Sequence, residues 1–325
     1  MSLQVNTVFL EHKWSLIPID GIEGFRVKRI SPDSKLDINI GYNRIGDRCL
    51  VLELPSSSEL VFFNRIKQNL SICYLKEQNY IVIELLVSSF NDLFCDLIVS
   101  LYHRVKNFED IDSCTTELVS SFGKWSEFFN DQTNQLLTDE MIKGIWGELF
   151  VLREMLRSTT VGTSVDQILE FWQGPYDRGH DFILADKNLE VKTKDVGAID
   201  ITISSEHQLE LEFMKPLELL VLSVDLDLQY GENILEVVES IRDEIRLGFG
   251  DASLLLTALA QKGLHMRNLD FYPKKYKAIN QIVYDCVDEN FPKLVVSSLP
   301  AALNQVRYRI RTAGLEDFII NQKDY

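Results

Sequence analysis

Paired cysteines, long apolar runs and an N-terminal export signal are all missing from this chain of 325 residues. The five cysteines show no Cys-x-x-Cys spacing, which argues against a zinc site or a disulfide framework and favours reduced thiols. No apolar stretch reaches the roughly 20 residues that a membrane-spanning helix needs. The first residues also lack the basic and apolar regions of a signal peptide. We therefore expect a cytoplasmic protein that has no membrane partner.

Basic charge is scarce as well. Lys and Arg total 33 against 49 Asp and Glu, so the formal net charge is −16. Phosphate contacts need Lys and Arg, and a globally acidic surface repels a nucleic-acid duplex. If the protein acts on nucleic acid, its basic residues must therefore be gathered on one face, or a partner subunit must supply most of the affinity.

Hydrophobic periodicity divides the chain into three regions. Residues 1–88 contain alternating or apolar runs separated by turn sequences, which predict an antiparallel β-rich N-terminal module. Helical spacing begins at Ser89, a plausible N-cap, and predicts a helical connector over 89–134. Residues 135–325 mix both periods, which predicts an α/β (α+β) domain with a helical and β C-terminal extension.

The stretch 180–192 predicts a β-hairpin, because an apolar run and an alternating run flank a turn sequence at 186–188. Side chains alternate along a strand, so Glu190 and Lys192 share one face. Asp181 stands at the mouth of the first strand, where the hairpin brings it beside Glu190. We therefore expect two carboxylates and one ammonium group to meet at one edge of a sheet.

Such a cluster has a recognisable chemistry. Two carboxylates held close together repel each other unless a cation lies between them, and oxygen ligands suit Mg²⁺ or Mn²⁺. A bound divalent ion can activate water and hold a phosphate oxygen, while a nearby lysine neutralises developing charge. The arrangement therefore suits phosphodiester hydrolysis. A surface hairpin with a cross-strand ion pair is the alternative that spacing alone leaves open.

A helix predicted over 139–157 offers a third carboxylate. Thr138 is a plausible N-cap, and the acidic first turn suits the positive end of the helix dipole. Glu148 lies beside the apolar stripe rather than opposite it, so it can face the hairpin. From the helix alone, a solvated glutamate is the simpler interpretation.

Several short motifs together resemble a bacterial family of PD-(D/E)XK proteins that are often found among restriction and phage-defence genes. Asp181 followed by Glu190-Val191-Lys192 is similar to the D…(D/E)-x-K signature of that superfamily. His180 stands where the signature has proline. The resemblance covers residues 135–225 well and the C-terminal part loosely. The other matching motifs are Gly147–Leu149, Trp172-x-Gly174-Pro175 and Ser204–Leu209.

The resemblance implies a restriction-endonuclease-like mixed sheet flanked by helices. It implies a Mg²⁺-dependent endonuclease, with Mn²⁺ as a substitute, that hydrolyses DNA in a restriction or phage-defence system. Asp181, Glu190 and Glu148 would hold the metal, and the carbonyl of Val191 is a further possible ligand. Lys192 would assist the attacking water. DNA, partner subunits of a defence complex and a second copy of the chain are the expected partners. The alternative is a non-catalytic DNA-recognition or scaffold subunit that retains the fold.

Two further residues near the motif carry competing interpretations. Ser205 and Gln208 have the S-x-x-Q form of a helix capping box, which explains Gln208 structurally; as a catalytic residue it would instead position a phosphate or water. His180 suggests a general base, but strand alternation directs its side chain away from that of Asp181.

The remaining pattern predicts the sheet and two basic segments. Residues 217–226 are mostly apolar and predict a central strand buried on both faces, and 199–203 predict another strand. The segments 273–277 and 307–311 are basic. Arginines alternating along 307–311 either follow a phosphate backbone together with Lys192 and Lys194 or protect an exposed strand edge.

Overall fold

A computed structural model describes residues 5–18, 24–55, 64–67, 69–129, 136–158, 163–176, 179–300, 302–303 and 305–325. The chain divides into two compact units. The first comprises Met1–Thr133 with Phe249–Ser253, and the second comprises Asn134–Gly248 with Leu254–Tyr325. In these described ranges, no helix combines the length and the apolar character that crossing a lipid bilayer requires.

The first unit is built on a six-stranded sheet in which all neighbouring strands are antiparallel. The strand order is β1-β2-β3-β6-β5-β4, with β1 (Arg26–Arg29), β2 (Asp37–Tyr42), β3 (Arg48–Glu53), β4 (Arg65–Lys67), β5 (Leu70–Leu75) and β6 (Tyr80–Leu85). Its helices are α1 (Thr7–Ser15), α2 (Asn91–Val105) and α3 (Ile111–Trp125). The predicted antiparallel β-rich module is confirmed.

Two details of this unit differ from the prediction. Helix α1 was not predicted, because only Leu10 and Trp14 of its nine residues are buried, and two apolar positions do not define a helical period. Ser89 is not the N-cap of α2. A 3₁₀ turn occupies Ser88–Phe90, and α2 begins after it at Asn91 without a side-chain cap.

The second unit contains a mixed five-stranded sheet in the order β13-β11-β10-β8-β7. Only β10 and β8 are parallel, and the other neighbours are antiparallel. Strand β10 lies at the centre, and its residues 219–224 are all buried, as predicted for a strand covered on both faces. The strands are β7 (Phe182–Ile183), β8 (Asn188–Asp195), β10 (Leu217–Leu226), β11 (Tyr276–Asp285) and β13 (Ile319–Asp324).

Helices flank this sheet, as the predicted fold class requires. They are α4 (Asp139–Arg157), α5 (Val165–Phe171), α6 (Ile234–Leu247) and α7 (Ala252–Gln261). Thr138 caps α4 through a hydrogen bond from the N–H of Met141 to its hydroxyl, at 3.3 Å. Helix α4 packs against both β8 and α6.

A second, two-stranded sheet pairs β9 (Asp200–Ile203) with β12 (Tyr308–Arg311). The predicted strand at 199–203 therefore exists, but it pairs with β12 outside the five-stranded sheet. The two sheets share one apolar cluster, in which Ile201 and Ile310 pack with Leu219 of the central strand.

Candidate active site

The hairpin holds Asp181 by its main chain and its side chain. Phe182 pairs with Leu189, so Asp181 precedes the first pair and lies beside Glu190. The N–H of Val191 donates to Asp181 Oδ2 at 2.8 Å. The carbonyl oxygen of Asp181 accepts hydrogen bonds from the N–H groups of Gln173 and Gly174, at 2.8 and 3.0 Å. One carboxylate oxygen, Oδ1, therefore remains directed away from the hairpin ladder.

Glu190 and Lys192 form a buried ion pair on one face of β8. Only 1% of the Glu190 side chain is exposed, and 15% of that of Lys192. Lys192 Nζ donates to Glu190 Oε1 at 2.6 Å and to Gln208 Oε1 at 3.0 Å. The ammonium group therefore occupies a fixed position, because two acceptors from different segments hold it.

Helix α4 brings Glu148 to the same place. Trp172 Nε1 donates to Glu148 Oε2 at 2.8 Å, and Lys262 Nζ lies 3.8 Å from Glu148 Oε1. A Cβ atom on Gly174 would lie 2.8 Å from both Asp181 Oδ1 and Glu148 Oε2. The two carboxylates therefore border the same point, and only glycine leaves it open.

The pKa values of Glu148, Glu190 and Lys192 are shifted by burial and by the neighbouring charges. Burial, followed by the charge of Asp181, raises the pKa of Glu148 to about 7 and that of Glu190 to about 8. Burial would lower the pKa of Lys192, but the negative charges of Glu190 and Asp181 outweigh it and raise that pKa. Negative charge is thus in excess, and the cluster gains from a further cation.

Glu148, Asp181 and Lys192 line a cleft of about 490 Å³ within the second unit, whereas Glu190 lies buried beside Lys192. The described residues that line it include six bases, which are Lys143, Lys192, Lys194, Lys262, Arg307 and Arg309. Two sequence segments 115 positions apart, at Lys192 and Arg307, thus meet in one cleft. The other basic segment does not line it: Lys274 pairs with Asp139 and Lys275 with Glu236.

Gln208 lies in a turn rather than at the start of a helix, so the predicted capping box at Ser205 is wrong. Its Oε1 accepts from the N–H of Ser204 at 2.8 Å as well as from Lys192. His180 is buried, and its Nδ1 has no hydrogen-bond partner among the described residues. Burial lowers the pKa of His180. We find no contact among the described residues that would make this ring a base toward the cleft.

Sequence reasoning missed two partners of Glu148. Trp172 belongs to one of the matching motifs, but no contact with Glu148 was predicted for it; its ring is buried and its N–H donates to the carboxylate. Lys262 was not singled out at all. It follows the last residue of α7, and no local pattern connects it with a glutamate 114 positions earlier.

The donor set fits a hard divalent cation. Asp181, Glu190 and Glu148 supply carboxylate oxygens, the ligands that Mg²⁺ and Mn²⁺ prefer. Burial, followed by the charge of Asp181, raises the pKa values of both glutamates, and a divalent ion would favour their ionised forms. Across the described ranges, no three His, Cys, Asp or Glu side chains are already gathered as a ready-made metal site. One oxygen of Glu190 accepts a hydrogen bond from Lys192, and one oxygen of Glu148 accepts a hydrogen bond from Trp172.

A mixed sheet whose hairpin carries Asp181, Glu190 and Lys192, with a helix glutamate beside them, is the architecture of nuclease-like proteins of the PD-(D/E)XK type. Residues 10–313 match the model of the family described as "Putative PD-(D/E)XK family member, (DUF4420)", and the chain belongs to that family. Neither the curated proteins nor the solved structures contain a significant match to the chain.

Proposed function

We propose that this protein is a metal-dependent endonuclease that hydrolyses DNA phosphodiester bonds within a bacterial restriction or phage-defence system. The observation that carries the proposal is the convergence of Glu148, Asp181 and Lys192 on one cleft, with the buried carboxylate of Glu190 2.6 Å from Lys192 Nζ. These residues come from a helix and a hairpin, and burial together with the charge of Asp181 raises the pKa values of both glutamates. A surface hairpin with an incidental ion pair would not bury Glu190 almost completely.

In this assignment Asp181, Glu190 and Glu148 would hold the metal. A bound Mg²⁺ or Mn²⁺ would supply Lewis-acid stabilisation of the phosphate and a more acidic water. The chain's own residues supply position. Val191 fixes Asp181 through its N–H, and Trp172 fixes Glu148 through its indole N–H, so two carboxylates are oriented before substrate arrives.

Lys192 supplies the positive charge of the site. Its raised pKa keeps the ammonium group protonated at neutral pH, so it acts as a hydrogen-bond donor rather than as a base. Held between Glu190 and Gln208, Nζ can donate to a phosphate oxygen or to the attacking water and neutralise charge that develops on the phosphoryl group. Gln208 acts through Lys192, as a positioning residue.

Cleavage of supercoiled plasmid tests this proposal most directly. Wild-type protein with Mg²⁺ or Mn²⁺ should nick or linearise the plasmid, and Lys192→Ala or Asp181→Ala should lower the rate by at least about 100-fold, the size expected for loss of transition-state charge stabilisation. EDTA should abolish the reaction.

Lys187→Ala is the matched control. Lys187 belongs to the same hairpin, but its ammonium group pairs with Glu218, 2.7 Å away, and it is not among the described residues that line the cleft. Its removal should leave the rate unchanged. Cleavage that persists in the Lys192 or Asp181 variants, with their folding verified by circular dichroism, would reject the assignment.

A non-catalytic DNA-recognition or scaffold subunit is the second candidate. The net charge of −16 favours it, because such a chain would rely on a partner for DNA affinity. Calorimetric titration with Mn²⁺ separates the two. Binding at millimolar metal that is lost in Asp181→Ala supports the nuclease, whereas no binding to the wild type supports the scaffold.

A further inference from the structure

Two arginines from the C-terminal part of the chain line the cleft, although they are far in sequence from the acidic cluster. Arg307 precedes strand β12, and Arg309 lies within it, opposite Thr202 of β9. Strand β12 is held in place by packing and by strand pairing. Ile310 is buried in the apolar cluster beneath it, and every residue of β12 pairs with β9.

The chain just before Arg307 is also fixed. The carboxylate of Glu206 accepts hydrogen bonds from the N–H groups of Gln305 and Val306, at 3.1 and 2.8 Å. Glu206 lies in the same turn as Gln208, which holds Lys192. Arg307 and Arg309 are therefore preorganised relative to the catalytic lysine, so binding a ligand would require little ordering of the backbone.

The charge of the cleft differs in sign from that of the chain. Six bases line it against five acids, although acids exceed bases by 16 in the whole sequence. Lys143 is neutralised by Glu140 and Asp195, and Arg309 pairs with Asp200. Lys192 is paired with Glu190, which does not itself line the cleft. Glu148, Asp181 and Glu190 make up the proposed metal site, so a bound divalent ion would leave the cleft positive.

The ion pair with Asp200 does not prevent Arg309 from binding a phosphate. The arginine side chain is 68% exposed, and an ion pair that is exposed to solvent contributes little to stability. A phosphate, which accepts bidentate hydrogen bonds from a guanidinium group, can displace it. Arg307 is exposed, and no acidic partner for it occurs among the described residues.

We propose that Arg307 and Arg309 form a phosphate-binding platform that carries the backbone of a DNA substrate into the cleft. This inference rests on the proposed nuclease function and identifies where that function obtains its substrate affinity. Arg307 and Arg309 are then a binding surface rather than a protection of a strand edge. Since they are gathered at the cleft, the acidic remainder of the surface does not prevent binding.

The test is the affinity of a fluorescent 20-base-pair DNA duplex, measured by anisotropy in Ca²⁺ at several salt concentrations, with gels that verify an intact probe. Arg307→Ala and Arg309→Ala should each weaken binding about tenfold at low salt, and each should reduce the slope of log K against log salt by about one. Asp200→Asn should tighten binding, because it releases Arg309 from its competitor.

Arg311→Ala is the matched control. Arg311 is exposed on the same strand, but it is not among the described residues that line the cleft, so its removal should change affinity less than twofold. An equal loss in the Arg311 variant would show general electrostatic attraction and overturn the platform. Wild-type affinity in the Arg307/Arg309 double variant, or no binding by the wild type, would also overturn it.

The platform and the nuclease proposal fail in different ways. Plasmid cleavage that depends on Lys192 but not on the two arginines rejects the platform alone. Salt-dependent duplex binding that requires both arginines, without any cleavage, supports the platform and rejects hydrolysis.

Discussion

Glu148 is held from two sides, and each of its oxygens has a different neighbour. Trp172 donates a neutral hydrogen bond to Oε2, while the ammonium group of Lys262 lies near Oε1 at 3.8 Å. Lys262 also lines the cleft. In the proposed site, the charge of this lysine therefore competes with a metal ion for the same carboxylate.

Lys262→Met should consequently strengthen Mn²⁺ binding several-fold in calorimetry. Removing a positive charge a few ångströms from a cation relieves a repulsion on the order of 1 kcal/mol or more at the effective dielectric of such sites. Methionine retains most of the side-chain volume, so the fold should be preserved. Glu148→Gln should have the opposite effect and weaken binding. Weaker binding in the Lys262 variant would show that this lysine instead positions Glu148.

At the scale of elements, the contact between α4 and β8 determines whether the helix glutamate reaches the hairpin. Gly147 provides that contact. A Cβ atom at this position would lie 1.8 Å from Oγ1 of Thr193, so the helix could not stay at its present distance from the strand. Gly144, one turn earlier in the helix, has no described atom within 4 Å of its Cβ position.

The two glycines should therefore respond oppositely to alanine. Gly147→Ala should lower the free energy of unfolding by about 1–3 kcal/mol, the usual cost of overpacking. Gly144→Ala should raise it by up to about 1 kcal/mol, because alanine favours the helix and meets no obstacle. Thermal and urea denaturation of both variants provide the comparison. Similar changes in both would mean that helix propensity, and not the contact with Thr193, decides the effect.

At the scale of the whole molecule, the chain returns to its first unit through Phe249–Ser253. Asp251 anchors this segment, since its carboxylate accepts hydrogen bonds from Ser100 and Ser253 and pairs with Arg104 and Lys124. Burial would raise the pKa of Asp251, but Ser253 and the two positive charges outweigh burial and lower it.

Asp251→Asn should therefore destabilise the protein in a pH-dependent way. A carboxyl whose pKa is lower in the folded than in the unfolded state stabilises the fold above its unfolded pKa, about 3.9, and loses that contribution as pH falls through the folded value. The free energy of unfolding of the wild type should exceed that of the variant by about 2 kcal/mol at pH 7. This difference should shrink below pH 4. Urea denaturation at pH 7, 5, 4 and 3 measures it.

Glu127→Gln is the control for this series. Glu127 forms an ion pair with Lys67 at 3.0 Å, but its side chain is 68% exposed, so its removal should change little at any pH. The free energies of unfolding of the wild type and Asp251→Asn could instead differ by a constant amount down to pH 3. That result would contradict the anchoring role of the Asp251 charge.

Local features of the sequence were sufficient for the hairpin and the principal helices. The hairpin needs only a period of two and a turn, so the position of Asp181 beside Glu190 followed directly from spacing. Helix α4 and its Thr138 cap followed from the period of 3.6 and a capping residue. The central strand β10 followed from a continuous apolar run. Helix α1 escaped prediction because too few of its residues are buried.

Sequence alone thus determined the acid-x-Lys hairpin, the helix that carries Glu148 and the family resemblance, since each depends on residues close together in the chain. Only the tertiary structure decided which distant side chains meet them. It placed Trp172 and Lys262 on Glu148, moved β9 out of the main sheet to pair with β12, and brought Arg307 and Arg309 into the cleft. The physical reason is that such contacts arise from packing between elements, which no local period encodes.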